Sequence, residues 1–231
     1  MSKCKKIPPR VLEGEGIEDE LDFTTDDYSV ACKKMFGEYK RLIRFIFDDL
    51  GLKDDSNILE IGPGPGWIGI LMVKENQTLK ITGIEISKDM IRVANKNKLS
   101  EDVDGQITYI HGNAENMNLF SDKFFDLIFS NGSLHHWISP ENVFNEVSRL
   151  IKDDGLFCIC DGRRDLGIGA KVIFNIFKLF IPKFMRKGWK TSIMAGYTPD
   201  EIKEILDKTN LKNKYEIKKD LFDLVIHNKL D

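Results

Sequence analysis

A chain of 231 residues with 42% hydrophobic side chains can close one well-packed core with a modest appendage. Its net charge of −3 argues against a general nucleic-acid binder, which needs a basic surplus to displace phosphate counterions. Cys4, Cys32, Cys158 and Cys160 lack metal-site spacing and no acidic cluster suits a divalent ion, so no metal is expected and a reducing, cytoplasmic setting is the plain reading.

No N-terminal apolar leader is visible, and the longest apolar stretch, 168–185, is interrupted by Lys171, Lys178, Pro182 and Lys183, so a soluble chain is expected. Between Glu13 and Asp27 the sequence carries eight acids and no base, the composition of a solvated arm or a lid. From about Asp27 to Leu50 apolar residues recur at helical spacing (Met35, Tyr39, Leu42, Ile43, Ile46, Phe47), and Gly51 follows as a C-terminal cap. Residues 1–50 are thus read as an arm and helix preceding a single domain, 51–231.

The stretch Asn57 to Gly69 organises the rest. Ile58, Leu59 and Ile61 form a short apolar run that ends in glycines, and Ile68, Ile70, Leu71 and Val73 then follow at helical spacing. Strand, glycine loop and helix in that order admit a ligand to bare backbone at a helix N-terminus. Gly64, Gly66 and Gly69 satisfy the spacing of dinucleotide binders, whereas Gly62, Gly64 and Gly66 follow the strand directly. The second register fits better, and it puts Glu60 at the strand end, where a carboxylate disfavours pyrophosphate and suits an ammonium group.

At this point the chain resembles the class I S-adenosylmethionine-dependent methyltransferases, whose first motif is an acid followed by Gly-x-Gly-x-Gly. The resemblance covers roughly residues 57–211. It implies a doubly wound, mostly parallel seven-stranded α/β sheet of order 3-2-1-4-5-7-6 with strand 7 antiparallel, and S-adenosylmethionine as cofactor.

Further along, Lys80 to Ile86 reads as a second strand ending in Glu85. That acid lies nineteen residues after Gly66, near the offset of about 20 at which carboxylates meet ribose hydroxyls. Ser87 caps the next helix, where the resemblance sets Met90 against adenine. A third strand, Ile107 to His111, leads to Asn113, Ala114 and Glu115; family members often carry an acid where Asn113 stands, and an amide can also pair with an adenine edge. The fourth strand, Phe125 to Phe129, carries Asp126 at a family acidic position near the glycine loop and runs into Asn131 and then His135-His136-Trp137. By resemblance Ile86 and Asn131 join the cofactor set with Glu60, Gly62, Gly64 and Gly66. His135 and His136 are the near-neutral ionisable groups of the expected site and candidates for taking an acceptor proton, with loop structure as the alternative.

Ser139 and Pro140 open a helix to about Ile151, and Leu156 to Cys160 form a fifth strand. Thr198 to Glu201 make a capping box, and Tyr215 to His227 a terminal hairpin. The insertion 162–197 is strongly basic: 162–190 hold eight bases and one acid. It reads as a helical cap over an acceptor pocket, with contact to an anionic membrane surface as a second reading and a solvated helix as a third. Resemblance nominates Tyr28, Phe36, Trp137 and Arg163 for the acceptor, with ordinary packing the alternative for the first two. The expected activity is methyl transfer to a small-molecule acceptor; a nicotinamide-dependent oxidoreductase and a non-catalytic binding module are the rivals.

Overall fold

The computed structural model describes residues 7, 9–11, 24–177 and 185–229. Most of the acidic arm, including Leu21 and Phe23, and the middle of the insertion lie outside them. Helix α1 (Thr25–Cys32) leads through a 3₁₀ turn (Lys33–Met35) into α2 (Phe36–Arg44) and a π turn (Phe45–Asp49). The single helix expected here is therefore segmented. The tighter turn, with three residues per repeat in place of 3.6, rotates Met35 off the buried stripe to 41% exposure.

The alternation that follows is β1 (Asn57–Ile61), α3 (Trp67–Glu75), β2 (Lys80–Glu85), α4 (Lys88–Ser100), β3 (Ile107–His111), β4 (Phe125–Asn131), α5 (Pro140–Leu150), β5 (Ile151–Gly162), α6 (Ile168–Phe177), α7 (Met185–Ala195), α8 (Pro199–Leu206), β6 (Tyr215–Lys219) and β7 (Asp223–Asn228). The seven strands form one sheet of order β3-β2-β1-β4-β5-β7-β6. β1 to β5 pair in parallel, and β7 runs antiparallel to both β5 and β6.

Strand periodicity sorts the core into two layers. Leu59, Ile61, Ile84, Ile128 and Ile159 face Val143, Phe144 and Val147 of α5 and Ile202 and Leu206 of α8. Ile58, Ile81, Leu127 and Phe129 face Leu42 and Ile43 of α2 and Ile70, Met72 and Val73 of α3. Strand β5 is longer than the apolar run suggests. Ile151 pairs with Phe125 and Leu156 with Leu127, so Asp153-Asp154-Gly155 is a bulge inside the strand and not a turn before it.

Two helix starts follow the expected chemistry, Thr198 making a capping box with Glu201 and Ser87 accepting from the Met90 amide; Thr24 adds a capping box with Asp27, and Ser139 stands at the N-cap of α5 without a side-chain cap bond. The insertion leaves and rejoins the sheet at the carboxyl end of β5. Arg163 bridges Tyr197 there, and a side chain at Gly196 would strike the Gly162 carbonyl. The described part of the acidic arm turns elsewhere: Asp26 pairs with Arg92 and Lys96 of α4. Among the described residues no helix is long and apolar enough to cross a membrane.

Candidate active site

The glycine loop sits at the carboxyl end of β1, beside β4, where the strand order reverses, which is where open α/β sheets bind ligands. Gly62, Gly64 and Gly66 all have positive φ. A side chain at Gly62 would come 2.5 Å from Ser133 Oγ, so the loop after β4 is packed directly on this turn. One at Gly64 would meet nothing within 4 Å, which marks the open face of the loop. Behind the loop the Trp67 indole donates to Ser29 of α1, and Asn97 of α4 donates both to Ser29 Oγ and to the Pro65 carbonyl.

Glu60 lies under this turn and not in front of it. It is 2% exposed, and its Oε2 has no hydrogen-bond partner. Burial, and secondly the charge of Glu85, push its carboxyl up to about 8, while the Gly69 amide of α3 pulls it down. A side chain at Gly69 would come 2.7 Å from Glu60 Oε2. The third glycine thus makes room for a buried acid, and its dinucleotide spacing needs no dinucleotide. Direct contact between Glu60 and a ligand ammonium, expected from its place in the strand, gives way to support of α3 from below.

Glu85 ends β2 with both carboxylate oxygens engaged by backbone: Oε2 accepts from the Gly64 amide at 3.0 Å and Oε1 from the Ser87 amide at 3.0 Å. The acid is fixed in orientation at the open face of the glycine loop, with further lone pairs for hydroxyl donors. Next to it Ile86 is 63% exposed, an apolar surface at the rim, and Met90 is half-buried one turn into α4. Beyond β3, Asn113 spends its carbonyl on the Glu115 amide, and Glu115 accepts from the Ser139 amide at the start of α5. Ala114 is partly buried against the core, so this loop is shaped as much by its own bonds as by any ligand. Asn131, half-buried, closes β4.

His135 is buried in the 3₁₀ turn after β4, and its partner is Asp161 at the end of β5. Its backbone amide donates to Asp161 Oδ2 at 2.7 Å, and its ring Nδ1 lies 2.9 Å from Oδ1. The Gly162 amide adds a third donor at 2.6 Å. A carboxylate can only accept, so Nδ1 carries the proton that faces Asp161, and Nε2, itself buried, is the ring's other nitrogen. His136 is exposed, its ring 4.0 Å from that of His135. From the N-terminus Arg10 reaches the same place, donating to the carbonyls of His135 and Ala195 at 2.6 Å each.

Several nominated residues lie apart from this cluster. Trp137 is a core residue, edge-on to Phe144 with its N–H on Ser133 Oγ, because the turn carrying His135 aims it inward. Arg163 pairs with Asp165 and donates to the Asp220 carbonyl at the β6–β7 turn. Phe36 packs 5.5 Å from the Trp67 ring and Tyr28 joins the same layer. Asp126 accepts from the Asn57 amide and pairs with Lys152, at the opposite end of β1 from the glycines, because the parallel register aligns β4's start with β1's start. Asp161, Arg10, Ser29 and Asn97 were not nominated. Asp161 alone had a signal, an acid at a strand's carboxyl end.

Residues 52–210 match the sequence profile of a methyltransferase domain family. A ubiquinone/menaquinone biosynthesis C-methyltransferase of Desulfotalea psychrophila is 27% identical over 177 residues, covering 76% of this chain and 67% of that one. The 27-O-demethylrifamycin SV methyltransferase of Amycolatopsis mediterranei is 29% identical over 112 residues, 48% of this chain and 40% of that one. A solved structure of a putative S-adenosyl-L-methionine-dependent methyltransferase from Methanococcus maripaludis superposes with a TM-score of 0.73 at 22% identity, covering 96% of this chain and 98% of that one. The chain belongs to the class I S-adenosylmethionine-dependent methyltransferase family. It spans half or less of the length of several curated relatives that it matches.

Proposed function

We propose that this chain transfers a methyl group from S-adenosylmethionine to a small-molecule acceptor, with His135 taking the acceptor's proton. The observation that carries the reading is the His135–Asp161 pair standing on the loop that packs against Gly62. Each residue has a task that its surroundings support. Gly64 leaves backbone open for close approach, and Glu85, held by two amides, accepts from ribose hydroxyls. Exposed Ile86 and half-buried Met90 offer an apolar platform for a base. When bound, the cofactor supplies an electrophilic methyl on a positively charged sulfur.

The protein's own contribution is alignment and proton removal. Asp161 fixes the imidazole's tautomer and orientation, so that Nε2 is the nitrogen that accepts a proton. His136, stacked on His135, is the second candidate for that task. A small acceptor accords with relatives named for quinone biosynthesis and for a rifamycin. Calorimetric titration with S-adenosylhomocysteine and with the nicotinamide dinucleotides tests the ligand. Tight dinucleotide binding with none of the homocysteine product would sink the proposal, and cofactor binding without turnover over a broad acceptor panel would reduce it to a binding module.

A further inference from the structure

Arg10 is a half-buried guanidinium with no acidic partner among the described residues. Its carbon sits 4.0 Å over the Tyr197 ring, and its Nε and Nη2 donate to the carbonyls of Ala195 and His135. Two of five N–H donors are thereby used, and among the described residues the charge is answered by dipoles and a ring face. Among the described residues, the acids that act on the neighbouring Tyr197 include Asp161 and Glu201, and both are committed. Asp161 is bound by three N–H groups of His135 and Gly162. Glu201 takes a two-pronged pair from buried Arg164 and the Thr198 amide. Tyr197, whose phenol burial pushes up, stays neutral and supplies no anion.

A partly buried, uncompensated guanidinium is costly to keep unless a ligand completes it, and a planar fork suits an oxyanion. This one is bonded to the carbonyl of the very residue whose ring is held for proton transfer. We propose that Arg10 forms an anion subsite for the methyl acceptor, so that the acceptor carries a carboxylate or phosphate close to the position that is methylated. The inference rests on the methyl-transfer reading of the same site and adds the acceptor's chemical class.

The test is calorimetric titration of the full chain, saturated with S-adenosylhomocysteine in low salt, with benzoate, phenyl phosphate and neutral benzamide. At least one anion should bind about tenfold or more tightly than benzamide, since a charged hydrogen bond is lost with the amide. Benzoate above phenyl phosphate assigns a carboxylate, and the reverse order a phosphate. Arg10→Met should abolish the preference with S-adenosylhomocysteine affinity unchanged, and Arg10→Lys, which keeps the charge without the fork, should fall between. Equal binding of benzamide and both anions overturns the subsite, as does an anion preference that survives in Arg10→Met. The wild-type comparison decides the matter even if Arg10→Met fails to fold. Failure of the wild type to bind S-adenosylhomocysteine would instead overturn the methyl-transfer reading.

Discussion

Replacing Gly69 by alanine adds one methyl inside α3, 2.7 Å from Glu60 Oε2 and 3.6 Å from two carbons of Ile81. The helix itself favours alanine by about 0.8–1 kcal/mol. Against this, overpacking a closed core costs about 1–3 kcal/mol. Glu60 is 2% exposed and has nowhere to withdraw, so the net expectation is a loss of about 0–2 kcal/mol. In a Glu60→Ala background the obstructing oxygen is gone, and Gly69→Ala should then stabilise by roughly the helix preference alone. Urea unfolding of the wild type, the two single variants and the double variant reads the cycle, provided the denaturant slopes agree. A coupling of about 1–3 kcal/mol is expected. Additivity within about 0.5 kcal/mol would refute the argument that Gly69 exists to accommodate Glu60.

Glu85→Gln should weaken S-adenosylhomocysteine binding about tenfold or more by calorimetry, because a charged acceptor of hydroxyl donors contributes about 1.5–3 kcal/mol; unchanged affinity in a folded variant removes Glu85 from the site. Asp161→Asn should leave that affinity intact while lowering turnover by about 10²–10⁴, the usual contribution of a general base, and should shift the His135 ring nitrogens in NMR spectra. Normal turnover would make the pair structural. Glu60 has its folded pKa raised to about 8 from 4.5. The folded state therefore holds the extra proton between those values, and Glu60's contribution is fully present below pH 4.5 and lost as pH rises through 8. Relative to the wild type, Glu60→Gln should gain melting temperature progressively over that interval, and a constant offset at every pH would show that folding does not shift the Glu60 pKa.

Much of the architecture was legible because it depends on local pattern. Apolar runs of five or six residues and glycines at their ends located β1 to β4 within two residues, the apolar half of β5, and β6 and β7 together as the terminal hairpin. Glu85 was legible because strand length and helix length together fix an offset. Asp161 was visible as a strand-end acid, but its role was not: it is 26 residues from His135, and only the pairing of Asn131 with Cys160 brings the two strand ends level. Arg10, 125 residues from the carbonyl it binds, has no local signal at all. The surroundings of Trp137 and Arg163 were not legible either: whether an aromatic or a base near a loop faces the core or an ion-pair partner is decided by the short 3₁₀ turn and the bridge that carry them. For Glu60, strand alternation separates it from Leu59 and Ile61, but the helix lying over that face becomes known only with the tertiary structure.

Ser29 receives the Trp67 indole and Asn97 together, so the glycine turn is braced by a residue encoded 28 positions before β1 begins. The recognisable family match starts at residue 52, yet Ile43 and Ile46, both fully buried, precede it. Where the family profile begins is thus not where the buried core begins. A fragment trimmed to the matched boundary would keep every glycine of the loop and lose the side chains that hold it still, and its weakened cofactor binding would wrongly be blamed on the motif itself.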